Sequence, residues 1–172
     1  LLLFVAEIGL VIGITSGINK LSSPMATALF YLFAVVNGVA LFPIFLAYTS
    51  VSIYKTFFIT AAVFGAMTVY GFFTTKDLSR WGQFLFMALL GLIIVSLVNI
   101  FLKSTTMEWL ISFAGVFIFI GLTAWDTQRI KQMAMMAPVE AAGKIATIGA
   151  LNLYLDFINL FLYLLRFFGN RN

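Results

Sequence analysis

Apolar residues run along this chain in long unbroken stretches, and short polar breaks set the stretches apart. A window as long as a bilayer crossing, roughly 17 to 25 residues, picks out residues 1–18, 24–47, 51–74, 81–102, 107–130 and 145–168. Apolarity this continuous predicts helices rather than the two-residue alternation of an outer-membrane barrel. The breaks Asn19-Lys20-Leu21-Ser22-Ser23 and Lys76-Asp77-Leu78-Ser79-Arg80 carry turn and capping residues. The longest link, 131–144, contains MAMMAPV, apolar enough to lie in the interface or dip inward. No internal repeat is evident, so residues 1–172 read as a single transmembrane domain, an all-α polytopic helical bundle.

Composition sharpens this picture. Of 172 residues, 63% are hydrophobic and 9% charged, whereas a soluble domain carries about a quarter charged residues. An integral, multi-pass membrane protein is expected. With no cysteine and no histidine, disulfides, thiolate chemistry, imidazole relays and thiolate or imidazole metal sites are excluded. Any chemistry falls to carboxylates, hydroxyls, amides, lysines and arginines. The net charge of +4 comes from basic residues spread singly among loops and span ends. They read as topology signals rather than a nucleic-acid face. One side holds Lys20, Lys76, Arg80, Arg129, Lys131 and Lys144, the other Lys55, Lys103, Arg166 and Arg171. The first side is the cytoplasmic candidate, because positive residues resist translocation. Both ends of the chain then lie outside. The opening LLLFVAE starts within an apolar run and without methionine, which predicts a missing upstream span.

Three carboxylates need a reason to be where they are, since an ionisable group in hydrocarbon costs at least ~2.5 kcal/mol. Asp156 lies deep in LNLYLDFINLFLYLLRFFG (151–169), on the order of 15 Å from either end of its helix. Asn152, Asp156, Asn159 and Tyr163 fall within about 60° of arc, with Gly149 in line and Arg166 just beside. That stripe must face protein or a water-filled cavity, because lipid offers no hydrogen bonds. It serves either function or interhelical bonding, and amides alone would suffice for the latter. Asp126, in GLTAWDTQRIK, shares a face with Ser112, Gly115, Phe119 and Thr123. An ordinary pair with Arg129 on the next turn would also account for it. Glu7 either lines the outer half of a pathway or is a hydrogen-bonded packing residue. Two carboxyls brought into contact do not both ionise without cost, so they would share a proton and sense pH. Deprotonated, they would offer calcium the hard oxygen ligands it prefers.

LNLYLDFINLFLYLLRFFG closely resembles the terminal helix of the transmembrane Bax inhibitor motif family in its bacterial branch. GLTAWDTQRIK resembles the end of the family's penultimate span, VVNGVALFPI (35–44) its third and SLVNIF (96–101) its fifth. The resemblance covers the chain except for the family's first helix. It implies a seven-helix fold in which six spans surround the last, here with six spans present. It also implies a pH-sensitive calcium leak across the bacterial plasma (inner) membrane, with Asp126 and Asp156 as the sensor, gate and transient calcium ligands. Eukaryotic relatives are linked to calcium release from internal stores and suppression of cell death. A family arginine near the cytoplasmic end of the second span engages the aspartate pair in one state. Lys20 is its nearest candidate here, and an ammonium in place of a guanidinium fork would make a looser latch. Glu7, Lys20, Asn152, Asn159, Tyr163, Arg129 and Arg166 are thus the pathway or latch candidates. Upright helices would set Asp126 and Asp156 about 10 Å apart in height, so contact requires the last helix to start recessed or to tilt.

Competing readings are a proton-coupled carrier, for which Pro43 and Gly38 supply one helix break without a symmetrical partner, and a non-conducting interaction protein acting on a membrane protease or another membrane protein. An enzyme is not expected: serine chemistry lacks its histidine, and the YD and GxGD surroundings of aspartyl intramembrane proteases are absent around Asp126 and Asp156. The expected partners are the lipid bilayer, protons and calcium ions, with no nucleic acid. No cofactor is expected beyond calcium as a permeant ion.

Overall fold

The structure, a computed structural model, describes residues 2–172, and within them helices account for nearly all the chain. They are α1 (Leu2–Gly17), α2 (Ser23–Ala40), α3 (Phe42–Ala47), α4 (Ser50–Phe73), α5 (Ser79–Leu102), α6 (Thr105–Met136) and α7 (Ala142–Phe168). The first predicted span begins at Leu1, which lies outside the described residues. Five helical stretches are long and apolar enough to cross a membrane, α2 and α3 counting as one, and α1 contributes a shorter apolar helix over Val5–Gly17. No β-strand occurs among the described residues. The molecule is an all-α membrane bundle.

Local chemistry sets the boundaries. The side chains of Ser22, Thr49 and Ser104 accept backbone N–H groups of Met25, Ser52 and Met107, capping α2, α4 and α6. Pro24 in the first turn of α2 needs no donor there. Between α2 and α3 the helix breaks at Leu41, next to Pro43, which has no N–H to continue the ladder. Lys103 closes α5 in the left-handed conformation, φ 49°, and lets α6 begin two residues later. The α4–α5 loop is held by Asp77, whose carboxylate accepts the Ser79 N–H at 2.9 Å. Hydrogen bonds from the Ser79 side chain and backbone keep that carboxyl below its usual range.

One predicted boundary is corrected. Instead of ending near residue 130, α6 runs on to Met136, and the MAMM segment continues the helix with Met135 and Met136 exposed. Nothing in that segment breaks a helix until Pro138, which disfavours the α conformation at Ala137. A short 3-10 helix, Val139–Ala141, turns the chain into α7.

The two ends of the bundle are tied separately. At one, the Lys144 ammonium donates to the Asn19 carbonyl and the Lys131 ammonium to the Phe72 carbonyl. At the other, Arg171 pairs with Glu108 at 2.9 Å, and the chain after α7 forms a single antiparallel bridge between Arg171 and Tyr48. The basic groups assigned to the two membrane sides therefore collect at opposite ends. The helix in the middle is α7, because each buried cluster includes it. Leu160 and Leu164 pack with Leu92, Ile111, Ile118, Phe119 and Leu122; Leu151 packs with Ile14 and Phe33; Phe161 and Leu165 pack with Ile53.

Candidate functional site

The aspartate pair sits where α6 meets α7, its most extensive partner. Asp126 and Asp156 are 8% and 5% exposed, and their carboxyls lie within hydrogen-bonding reach of each other. The 10 Å difference in height does not arise. Because α6 runs ten residues past Asp126, to Met136, and α7 starts fourteen residues before Asp156, at Ala142, the two acids come level across an antiparallel hairpin. Oδ2 of Asp156 is buried and meets no donor among the described residues. Ionised carboxylates only accept, so the contact becomes a hydrogen bond when a proton resides on one of them.

Glycines set the depth at which α6 lies. Gly71 of α4 meets the backbone of Ala124, and Gly82 of α5 meets the indole of Trp125, each so closely that a Cβ would collide. Two residues beyond Asp126, the buried Gln128 accepts the Leu78 N–H at 2.9 Å and donates to the Lys76 carbonyl at 2.8 Å. Gln128 thus fastens the α4–α5 loop beside the pair. Replacing it with leucine leaves two backbone groups without partners, for an expected loss of about 1–3 kcal/mol, read as a lower unfolding midpoint in lipid or detergent. An unchanged midpoint would show that the loop does not depend on it.

A cavity of 560 Å³ opens beside the pair, lined by Asp126, Asp156, Arg129, Asn152, Asn159 and Tyr163 among apolar side chains of α5 and α6. Asn152, Asn159 and Tyr163 therefore join the aspartates, as the stripe on α7 implied. Arg129 lines the cavity without the expected ion pair to Asp126. Its guanidinium lies over the Trp125 ring, 5.4 Å from the centroid, and among the described residues the Arg171–Glu108 pair is the salt bridge formed. Arg166 faces cavities nearer the opposite end, and Lys20 stands exposed in the turn after α1, lining neither aspartate nor Glu7 cavity.

Glu7 occupies a separate cavity of 670 Å³ between α1, α2 and α7. The Asn37 amide donates to it at 2.8 Å and itself accepts the Tyr154 hydroxyl at 3.0 Å. Leu155 and Asn159 line both cavities and form the wall between them. Asn37 and Tyr154 are not among the residues the sequence singles out. The available signal was an amide in mid-span, which demands a partner in lipid.

Compared with known proteins, residues 1–172 match in full the family described as "Inhibitor of apoptosis-promoting Bax1". The chain belongs to the Bax inhibitor family. Within this Bax inhibitor group it is 48% identical to inner membrane protein YbhL of Escherichia coli (strain K12) over 172 residues, 98% of this chain and 74% of the relative. An uncharacterized protein of Borreliella burgdorferi is 52% identical over 167 residues, 96% of this chain and 72% of that one. Uncharacterized protein RP147 of Rickettsia prowazekii is 47% identical over 167 residues, 96% and 71% of the respective chains. The chain is thus a multi-pass inner-membrane protein of the Bax inhibitor family, whose expected aspartates are the two that meet beside the cavity.

Proposed function

We propose that the protein is a pH-sensitive cation leak pathway, permeable to calcium, in which the Asp126–Asp156 pair is both sensor and gate. The observation that carries this reading is the contact of two nearly buried carboxyls, from adjacent helices, beside a cavity lined by amides and one guanidinium. A structural role in helix association is met by amides, and a mid-membrane acid is the costlier solution. With one proton between them the carboxyls bond, and α6 is held to α7. When that proton leaves, two like charges face each other in a site shielded from water, and either separation of the helices or a cation relieves them. Permeation should therefore rise with pH through the titration of the pair. Two carboxylates with the Asn152 and Asn159 amides supply few charged ligands, so calcium would pass and not reside. No enzymatic step and no resident cofactor are invoked.

The test is the pure protein in liposomes with calcium-reporting dye inside. The expected result is a non-saturating leak that increases as pH rises. Saturable uptake driven by a pH gradient would assign the acids to a carrier. No flux in pure liposomes, with a co-purifying membrane protein, would assign the chain to an interaction role.

A further inference from the structure

The cavity beside the aspartates shares no lining residue with the next cavity along the bundle. Both α5 and α7 rest on α6, with little direct contact between them, which leaves a groove floored by α6. The aspartate cavity occupies one part of the groove. A second cavity, of 450 Å³, lies closer to the Lys103 end and is lined by Ser96, Asn99, Lys103, Glu108, Ile111 and Arg166. On α5 the step from one to the other is a single turn, Ile93 to Ser96, and on α7 the residue in the gap between Asn159 and Arg166 that lines the first cavity is Tyr163.

Tyr163, half-buried, is seated on α6. Its ring stacks on Phe119 of α6, centroids 5.8 Å apart and planes 25° from parallel. The same ring lies against Gly115, where a Cβ would come within 2.7 Å of ring atoms, so only glycine gives the ring this place. The Arg166 guanidinium carbon is 5.6 Å from the ring centroid, and Ser96 of α5 lies on the hydroxyl's side of the groove. The side chain is a bar laid over α6 from α7 to α5.

We propose that Tyr163 is a second gate, in series with the aspartate pair, between the aspartate cavity and the Lys103–Arg166 cavity, closed when its ring lies on Gly115 and Phe119 and open when the ring leaves that seat. This rests on the leak reading above. Apolar constrictions stop ions by excluding water, and here the aromatic bar is the constriction. Its contacts are individually weak aromatic and cation–π contacts, as a movable element requires. Gly115 is the complementary half, because a methyl group at that position would lift the ring.

The chain has no cysteine, so Asn152→Cys places a sole thiol in the aspartate cavity. In sealed vesicles, a membrane-impermeant maleimide added on the Lys103 side should label Asn152→Cys slowly. Labelling should be about ten-fold faster when Tyr163→Ala is added, equivalent to removing about 1.4 kcal/mol of barrier. Gly115→Ala, which displaces the ring without deleting it, should accelerate labelling in the same direction. Tyr163→Phe, which keeps the ring on its seat, should label at the native rate, and labelling as fast as with Tyr163→Ala would overturn the gate. At alkaline pH, where the aspartate pair is deprotonated and open, calcium leak should rise in Tyr163→Ala while keeping its pH response. Equal labelling rates in Asn152→Cys with and without Tyr163→Ala overturn the gate and leave the leak reading standing. Faster labelling without any rise in leak at alkaline pH shows a barrier that no ion path crosses, and overturns the gate; only an absence of leak from the native protein overturns the leak reading.

Discussion

Asp156→Asn removes the pH response of the leak. Asparagine keeps the shape and hydrogen-bonding capacity of the side chain but cannot ionise, so Asp126 no longer faces a like charge when its own proton leaves. At an effective dielectric near 20, two unit charges about 4 Å apart repel by about 4 kcal/mol. That repulsion is the driving force for parting α6 from α7. Deleting it should flatten the dependence of calcium flux on pH, and Asp126→Asn should do the same from the other side. Glu7→Gln serves as the comparison. Its carboxylate is bonded to Asn37 in a different cavity, so this variant should retain the pH response even if absolute flux changes. A native-like pH profile in Asp156→Asn would remove the pair from the sensing role.

A large structural effect is expected at Gly71. A methyl group there meets the Ala124 backbone, and backbone cannot rotate aside as a flexible side chain does. Gly71→Ala should force α4 away from α6 at the level of Asp126, with a loss of about 1–3 kcal/mol, the usual range for overpacking. Gly91→Ala is the matched control. Gly91 also lies within a helix, but a Cβ there meets nothing within 4 Å. Its replacement should be neutral or stabilising by about 0.5–1 kcal/mol through reduced chain entropy. Unfolding midpoints in the same lipid check both, and equal midpoints would show that the close approach of α4 to α6 is not needed.

What the sequence made legible follows from lipid being an unforgiving solvent. Continuous apolar stretches and an acid in mid-span have few explanations, and the stripe Asn152, Asp156, Asn159 and Tyr163 faces protein as its spacing required. The end of α6 was misread for a physical reason. Its predicted stop near residue 130 came from bilayer thickness, but a helix stops where its backbone chemistry stops it, and that is before Pro138. Once α6 is given its full length, the mismatch in height between the aspartates disappears. Arg129 was a natural partner for Asp126 by spacing, yet the neighbouring Trp125 ring takes its guanidinium. Spacing along one helix says nothing of competitors on the same turn. Gly71 and Gly82 carried no signal because a glycine's use depends on what approaches it, and Ala124 and Trp125 come from another helix.

The most direct measurement is the proton itself. Infrared difference spectra of the protein in bilayers, taken between alkaline and acid pH, report the carbonyl stretch of a carboxyl that gains a proton. A proton shared by the pair gives one such buried carboxyl in the native chain, with the signal absent from the Asp126→Asn, Asp156→Asn double variant. A titrating buried carboxyl that persists unchanged in the double variant, or none in the native chain, would contradict it.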